Sequence, residues 1–132
     1  MPAPDPDQWD ISDAWLLAAI AIAPASEAGE GASLRAVISA ADGINHAIPS
    51  ESEVELALRR LMGAGLILVD DGAERITLTG AGWQVRGRWR QGLFGWMEAL
   101  PPALRRHGTP RAAQWSLPPG AYENAVRAHL KG

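Results

Sequence analysis

The chain of 132 residues contains no cysteine, and this absence removes several kinds of chemistry. Disulfides, thiolate metal ligands and thiol nucleophiles are all excluded. A domain of this length buries roughly two-thirds of its unfolded surface, so it can fold without a metal ion or a cross-link. The lack of cysteine fits a reducing compartment. We therefore expect a cytoplasmic protein that holds no metal and no cofactor.

Long hydrophobic runs are missing as well. The longest one, residues 14 to 23, is shorter than the about 20 residues that a helix needs to cross a bilayer, and Pro24 ends it. The chain begins with MPAPDPDQWD, which is acidic and rich in proline and lacks the positively charged start of a signal peptide. We expect no membrane partner, and we interpret residues 1 to 10 as a flexible arm.

The sequence carries no motif that is typical of an enzyme. Its histidines, His46, His107 and His129, lie far apart, and neither an HExxH pattern nor a nucleophile elbow is present. The sequence GAGW at residues 80 to 83 lacks the remaining glycine and the βαβ frame of a dinucleotide site. We expect no catalytic residues and no enzymatic activity.

The most informative stretch begins with an amphipathic helix after Ser50, which is a favourable N-cap residue. Apolar residues recur there at helical spacing, at Val54, Ala57, Leu58 and Leu61. Two short strands are predicted next, at residues 66 to 69 and 76 to 78, with an acidic turn that contains glycine between them. The returning strand is expected to bury Ile76 and Leu78. One core is predicted to unite these residues with the earlier helices: Leu58, Leu61, Leu66, Ile76, Leu78, Leu16, Ile20, Val37 and Ile38.

Two helices are predicted before this stretch. The first covers residues 14 to 23 after an acidic turn at Asp10 and Asp13, and it is apolar almost all round. One face of it is therefore expected to meet a second subunit or the C-terminal segment, unless its alanines tolerate exposure. The second helix is predicted to be capped by Ser33 and to stop at Gly43.

Three helices followed by two strands, over about residues 11 to 79, resemble the winged-helix (winged helix-turn-helix) superfamily. The resemblance lies in ALRRLMGAGLI and in the RITLTGAG that follows the wing. The sequence DGINHAIP, residues 42 to 49, is similar to a segment of small bacterial winged-helix proteins. The resemblance implies a mainly α fold of the α+β type, with a three-helix core and a two-stranded wing. Such stretches occur in bacterial transcription regulators that bind double-stranded DNA and also in winged helices that bind only protein, so the resemblance implies one of these two functions.

The connection before the recognition helix departs from a DNA-reading helix-turn-helix, whose turn has about three to four residues. Asp42, Asn45 and His46 lie in this connection and are candidates for a small polar site. The structural alternative is that Asp42 and Asn45 bond the backbone of the turn while His46 caps a helix end.

The two parts of the chain carry opposite charge. Residues 1 to 74 hold 13 acidic and 3 basic side chains, and residues 75 to 132 hold 2 acidic and 9 basic ones, giving −10 and +7. DNA binding requires a basic surface, because neutralising phosphates provides most of the non-specific affinity. The expected outward face of the recognition helix is acidic, at Glu51 and Glu55. This favours a second interpretation, a non-catalytic protein-interaction or structural module whose winged helix does not bind DNA.

If DNA is bound, the candidate contacts are five arginines: Arg59, Arg75, Arg86, Arg88 and Arg90. The alternative for the last three is that they cover tryptophan rings through cation–π contacts and pair with the acidic half of the chain. The apolar first helix and the opposite charges together predict a homodimer.

Residues 80 to 132 are predicted to be a helical extension that packs on the core, so that the chain forms a single domain. Its first helix is expected to follow Thr79 and to continue as far as Leu100, because apolar residues recur at spacings of three and four. Residues 104 to 110 are expected to be mobile. A final helix is predicted after Pro118 and Pro119, with an apolar stripe that ends at Leu130 and docks on the first or the fourth helix.

Overall fold

In the computed structural model, residues 8–24, 31–87 and 95–131 are described, and all structural statements refer to these ranges. They contain six α-helices and one antiparallel sheet of two strands, which confirms the expected mainly helical class with a small sheet. Most of the proposed N-terminal arm lies outside the described residues. In chain order the elements are α1 (Ile11–Ile22), α2 (Leu34–Asn45), α3 (Glu51–Gly63), β1 (Ile67–Asp70), β2 (Arg75–Leu78), α4 (Gly80–Arg86), α5 (Gly95–His107) and α6 (Ala121–Lys131).

Helix α1 is the centre of the fold. The Asp10 carboxylate accepts the Ser12 N–H, and the Asp13 carboxylate accepts the Asp10 N–H, so a capping box starts the helix. Residues 12 to 20 are all buried, because α2, α3, α4 and α5 pack around them. Only the ends of the helix expose large apolar side chains, at Ile11 and Ile22. The apolar surface of α1 is thus covered within one chain, by the C-terminal extension among others.

The predicted core residues form one cluster, which confirms the helical stripe of α3 and its register. Each of the following is at most 7 % exposed: Leu58, Leu61, Leu66, Ile76, Leu78, Leu16, Ile20, Val37 and Ile38. Burial of this apolar surface is the main favourable contribution to folding.

Helix α2 starts as expected, with the Ser33 hydroxyl accepting the Ala36 N–H at 3.1 Å. The prediction that Gly43 stops it is wrong, since the helix continues to Asn45 and ends where His46 adopts a left-handed conformation with φ 55°. The His46 N–H donates to the Asp42 carbonyl at 2.7 Å and closes the last turn. Only residues 46 to 50 then connect α2 to α3, so the connection is shorter than the sequence indicated.

The sheet is a short hairpin. Ile67 lies opposite Leu78 and Val69 lies opposite Ile76, and both Ile76 and Leu78 are buried as predicted. The turn between the strands uses positive φ angles at Gly72 and at the following alanine. A further pair of backbone bonds, between Ala32 and Ile76 at 2.8 and 2.9 Å, ties the entry to α2 onto the hairpin.

The C-terminal extension differs from the sequence-based expectation in its first part. Helix α4 ends at Arg86, because Gly87 adopts φ 56° and ψ −146°, a conformation that suits glycine. The predicted long fourth helix is therefore wrong: Trp96 and Leu100 belong to a separate helix, α5. The positions predicted between them, Trp89 and Leu93, lie outside the described residues.

Residues 104 to 107 belong to α5, which contradicts the expectation of a mobile segment beginning at Leu104. Pro101 and Pro102 lie inside this helix, where proline is normally unfavourable. Leu100 and Leu104 are fully buried on either side of the proline pair. Their burial one helical turn apart explains why α5 passes through a sequence that reads locally as a break.

Helix α6 starts at Ala121, after a turn in which the Ala121 N–H donates to the Pro118 carbonyl at 3.0 Å. Among the described residues, its main packing partner is α2, where the first or the fourth helix was predicted, so that docking prediction is wrong. The predicted stripe also ends too late, because Leu130 is 69 % exposed whereas Ala125 is buried.

Candidate interaction surface on the third helix

Helix α3 has an outer stripe formed by Glu55, Arg59 and Gly63, which are spaced by four residues and therefore share one side of the helix. Residues 111 to 117, here called the crossing segment, lie along this stripe. Near one end of the helix the segment approaches Gly63, and near the other it reaches Glu55. The crossing segment thus runs antiparallel to α3.

Three hydrogen bonds hold the crossing segment. The Arg59 Nε donates to the Ala113 carbonyl and the Ala113 N–H donates to the Arg59 carbonyl, both at 2.9 Å. The Glu55 carboxylate accepts the Leu117 N–H at 2.9 Å. Each bond uses the backbone of the segment, so the polar recognition by α3 does not depend on polar side chains of the segment.

The contact at Gly63 is especially close. A Cβ atom at this position would lie 1.4 Å from the carbonyl oxygen of Arg111, whereas a Cβ on Gly43 of α2 would meet nothing within 4 Å. Glycine at the end of α3 is therefore required for the segment to approach, and this requirement is not visible in the sequence.

Side-chain exposure alternates along the second half of the crossing segment, which contains no strand and bends at Gln114. Ala113 and Trp115 are half-buried and Leu117 is buried, while Gln114 and Ser116 between them are exposed. Side chains with a period of two point to opposite sides of an extended chain. The segment therefore presents a small, an aromatic and a leucine side chain to the protein.

Beyond Leu117 the chain bridges other parts of the core. The Pro118 ring lies 3.7 Å from the position that a Cβ atom would occupy if one were added to Gly72, in the turn between the strands. The Tyr122 hydroxyl donates to the Pro49 carbonyl at 2.6 Å. The crossing segment and its continuation thus join α3, the hairpin and the connection before α3.

The first turn of α3 stays open and is acidic. Glu51 and Glu53 are exposed there, and Asp70 and Glu74 are exposed beside the turn of the hairpin; these four residues are here called the acidic rim. Burial raises the pKa of the Tyr122 hydroxyl, and Glu51, Glu53 and Glu123 raise it further. The negative charges of Glu51 and Glu53 thus reach the point where the chain leaves α3.

The arginines predicted from the sequence lie in different settings. Arg59 is half-buried beneath the crossing segment, and Arg75 lies in β2 with its side chain over Gly31. The Arg86 guanidinium lies 5.7 Å from the centre of the Trp83 ring and donates to the Gly87 carbonyl at 3.0 Å. The cation–π interpretation is thus supported for Arg86. Arg88 and Arg90 lie outside the described residues.

A basic cleft of about 420 Å³ lies between α4 and α5. Arg86, Arg106 and His107 line it, together with small residues of both helices. The ring of His107 also contacts the Ala64 carbonyl through Nε2 at 2.9 Å. Arg106 is not among the residues predicted from the sequence, because residues 104 to 110 are expected to be mobile. The signal for it is the spacing of Ala99, Ala103 and Arg106, which places them on one helical face.

The polar site predicted in the connection is not assembled as expected. Asp42 accepts from His129 Nε2 at 2.8 Å, and His129 Nδ1 lies 2.7 Å from the Ser39 hydroxyl. His46 is exposed and ends α2 through its backbone, and Asn45 belongs to the last turn of α2. Asp42 therefore pairs with α6, a contact between residues 87 positions apart that the local pattern does not contain.

Ser39, His129 and Asp42 resemble a nucleophile, a base and an orienting carboxylate in their hydrogen bonding. Ser39 lies in the middle of α2, where the backbone N–H groups are used by the helix itself. A nucleophilic serine also requires hydrogen-bond donors for the oxyanion. The geometry therefore supports a polar bridge that holds α6 on α2.

A buried ion pair links α1 to α3. The Arg60 Nη1 lies 3.3 Å from the Asp13 carboxylate, and both side chains are at most 1 % exposed. Burial raises the pKa of the Asp13 carboxyl to about 6, although the Asp10 N–H and the Arg60 guanidinium oppose this shift. By contrast, a hydrogen bond from the Ser12 hydroxyl lowers the pKa of Asp10.

Within residues 8–24, 31–87 and 95–131, no group of three or more histidine and carboxylate side chains is placed to hold a metal ion. In the same ranges no helix is long and apolar enough to cross a membrane. Comparisons of the chain with protein-family models, with curated proteins and with solved structures find no match.

Proposed function

We propose that this protein is a non-catalytic protein-interaction module of the winged-helix type, in which α3 does not read DNA. The observation that carries the proposal is the crossing segment. It bonds Glu55 and Arg59 and closely approaches Gly63, and the sequence predicts Glu55 to face outward. A helix that reads base edges must enter the major groove, and the crossing segment occupies that side of α3.

The charges around α3 support the same proposal. The open first turn of α3 and the hairpin turn carry the acidic rim, which would repel phosphates at the two elements that a winged helix brings to DNA. Positive charge is found elsewhere, at Arg86 and Arg106 beside the α4–α5 cleft. We further propose that the module acts in the cytoplasm, which the absence of cysteine favours.

A shift assay with random duplex DNA at several salt concentrations tests this function. We expect no shift at physiological salt, and no difference between the unmodified protein and Arg59→Gln. Arg35→Gln, which changes an exposed arginine on α2, is the matched control. Tight DNA binding with a steep salt dependence would contradict the proposal if Arg59→Gln, and not Arg35→Gln, reduced the slope of log affinity against log salt concentration by about one unit.

DNA binding by a bacterial transcription regulator is the second candidate, and the basic cleft is the observation that favours it. Arg86 and Arg106 line the cleft, and Arg88 and Arg90 follow closely in the sequence. In that case Arg106→Ala should weaken binding to all duplexes about equally. Arg105→Ala, which changes the neighbouring exposed arginine outside the cleft, should have a smaller effect. Triple replacement of Arg86, Arg88 and Arg90 without loss of affinity would make these residues structural.

A homodimer remains a prediction that rests on the charge asymmetry of the chain. Its other basis is removed, because α1 is covered within one chain. Sedimentation equilibrium at micromolar concentration and at low and high salt measures the mass directly. A monomer in both conditions would refute the dimer.

A further inference from the structure

We propose that the outer stripe of α3 is a docking groove for an extended basic segment of another protein. The segment would carry a small residue, an aromatic residue and leucine at alternate positions, followed by lysine or arginine residues. The crossing segment occupies this groove in the absence of the partner. This inference rests on the proposed interaction function and names the chemistry of its partner.

The first step of the argument is the way in which the groove holds its present occupant. Arg59 and Glu55 bond only backbone atoms of the crossing segment. Recognition through the backbone is the mode by which proteins bind extended peptides, while side-chain pockets at alternate positions supply selectivity. A segment from another chain can make the same three bonds.

The second step is the alternation of the occupant. Trp115 and Leu117 pack against the hydrophobic core and Ala113 is half-buried, whereas Gln114 and Ser116 are exposed. These inward positions define what the groove selects: a small residue near Arg59, an aromatic residue next, and leucine near Glu55. A shift by one residue would place the polar positions inside.

The third step is an electrostatic mismatch between the groove and its present occupant. The acidic rim borders the end of the groove, and the residues that follow Leu117 there are Pro118, Pro119 and Gly120, which carry no charge. A partner with basic residues at these places would gain attraction that the chain's own segment lacks. The crossing segment is tethered to the groove and is therefore present at high effective concentration. The added electrostatic attraction would allow a partner to compete with it.

Displacement has a defined structural basis. The residues between His107 and Ala121 contain no helix or strand, and Gly108 and Gly120 adopt positive φ angles of 148° and 81° on either side of the crossing segment. No helix or strand would have to break for the segment to leave α3, but Trp115 and Leu117 would lose their packing against the core unless a partner replaced them.

Fluorescein-labelled peptides test the groove by anisotropy. The basic probe is RAAQWSLKKK, and the controls are RAAQWSLQQQ and RAAQWSLPP, the last being the chain's own residues 111 to 119. We expect the full-length protein to bind the basic probe at least about tenfold more tightly than either control at low salt, with the advantage decreasing as salt rises.

Two sets of variants separate the parts of the site. Trp115→Ala with Leu117→Ala weakens the crossing segment without changing the groove, and it should strengthen binding of all three peptides by a similar factor. Gln114→Ala with Ser116→Ala is the matched control and should behave as the unmodified protein. Glu51→Gln with Glu53→Gln should remove only the advantage of the basic probe, whereas Glu98→Gln on the exposed side of α5 should leave it unchanged.

Circular dichroism shows whether the variant with a weakened segment is folded. If it is not, Gly63→Ala replaces it, with the probe AAQWSLKKK carrying a free amino group. This probe lacks the residue that corresponds to Arg111 and therefore has no carbonyl group there. The Cβ added at position 63, which overlaps the Arg111 carbonyl of the chain's own segment, would not exclude the probe.

The inference is overturned if neither variant binds the basic probe at millimolar concentration. It is also overturned if RAAQWSLPP binds as tightly as the basic probe, since the groove would then suit a second copy of this chain. Both outcomes are separate from failure of the proposed function, which would appear as steep, salt-dependent DNA binding that Arg59→Gln weakens.

Discussion

The inner and outer sides of α3 are held by different forces. On the inner side, Val54, Ala57, Leu58 and Leu61 are fully buried in the core, and apolar burial alone accounts for their position. On the outer side, Glu55 and Arg59 bond the backbone of a segment more than 50 residues away. The inner side therefore anchors α3 in the core, and the outer side holds a distant part of the chain on α3.

Replacing Leu58 by alanine tests the inner side and should have the largest effect. Loss of a fully buried leucine should lower the free energy of unfolding by about 2–5 kcal/mol. Urea unfolding followed by circular dichroism measures this change. The control is Leu68→Ala on β1, where the side chain is 60 % exposed and the expected change is within about 0.5 kcal/mol. Equal midpoints for Leu58→Ala and the unmodified protein would show that α3 packs differently.

The Asp13–Arg60 pair also belongs to the inner side and predicts a pH dependence. Because the pKa of Asp13 is raised to about 6 from an ordinary 3.8, the folded protein binds more protons than the unfolded chain between these values. The contribution of Asp13 to stability is therefore fully present below about pH 4 and is lost as the pH rises to about 6.

Asp13→Asn should remove this dependence. We expect the difference in unfolding free energy between the variant and the unmodified protein to change by about 1–3 kcal/mol from pH 4 to pH 7. Asp10→Asn provides a contrast, because the pKa of Asp10 is lowered and its contribution is instead lost as the pH falls. Parallel stability curves for Asp13→Asn and the unmodified protein would mean that Asp13 does not titrate in this range.

Gly63→Ala tests the outer side and should have the smallest effect on stability. The added Cβ overlaps the Arg111 carbonyl, so the crossing segment must move and the bonds between Ala113 and Arg59 are lost. We expect a net cost of about 1 kcal/mol, since hydrogen bonds of this kind contribute 0.5–1.5 kcal/mol each and alanine favours the helix. Faster hydrogen exchange of the Ala113 amide is the direct measurement. Gly43→Ala, where space is free, should leave this amide protected, and equal exchange in both variants would contradict the contact.

The predictable part of the candidate site was its scaffold. The spacing of apolar residues after Ser50 located α3, and the apolar and turn residues that follow located the hairpin. The same local patterns failed at Gly43, at Gly87 and at Pro101, because helix ends depend on dihedral angles and on burial that a local pattern does not contain. The sequence showed that the outer side of α3 is acidic. It did not show that the crossing segment lies along this side.

The sequence by itself determined the elements that depend on local interactions or on one apolar stripe. These are the helix caps at Asp10, Ser33 and Ser50, the inner side of α3, and the hairpin. What only the tertiary structure decided is which distant segments meet. Arg59 pairs with the backbone of Ala113, and Asp42 pairs with His129. Such contacts join groups far apart in the chain through backbone atoms or single polar side chains, which leave no periodic pattern. They require the helices to lie close together, and burial of the core is what provides this proximity.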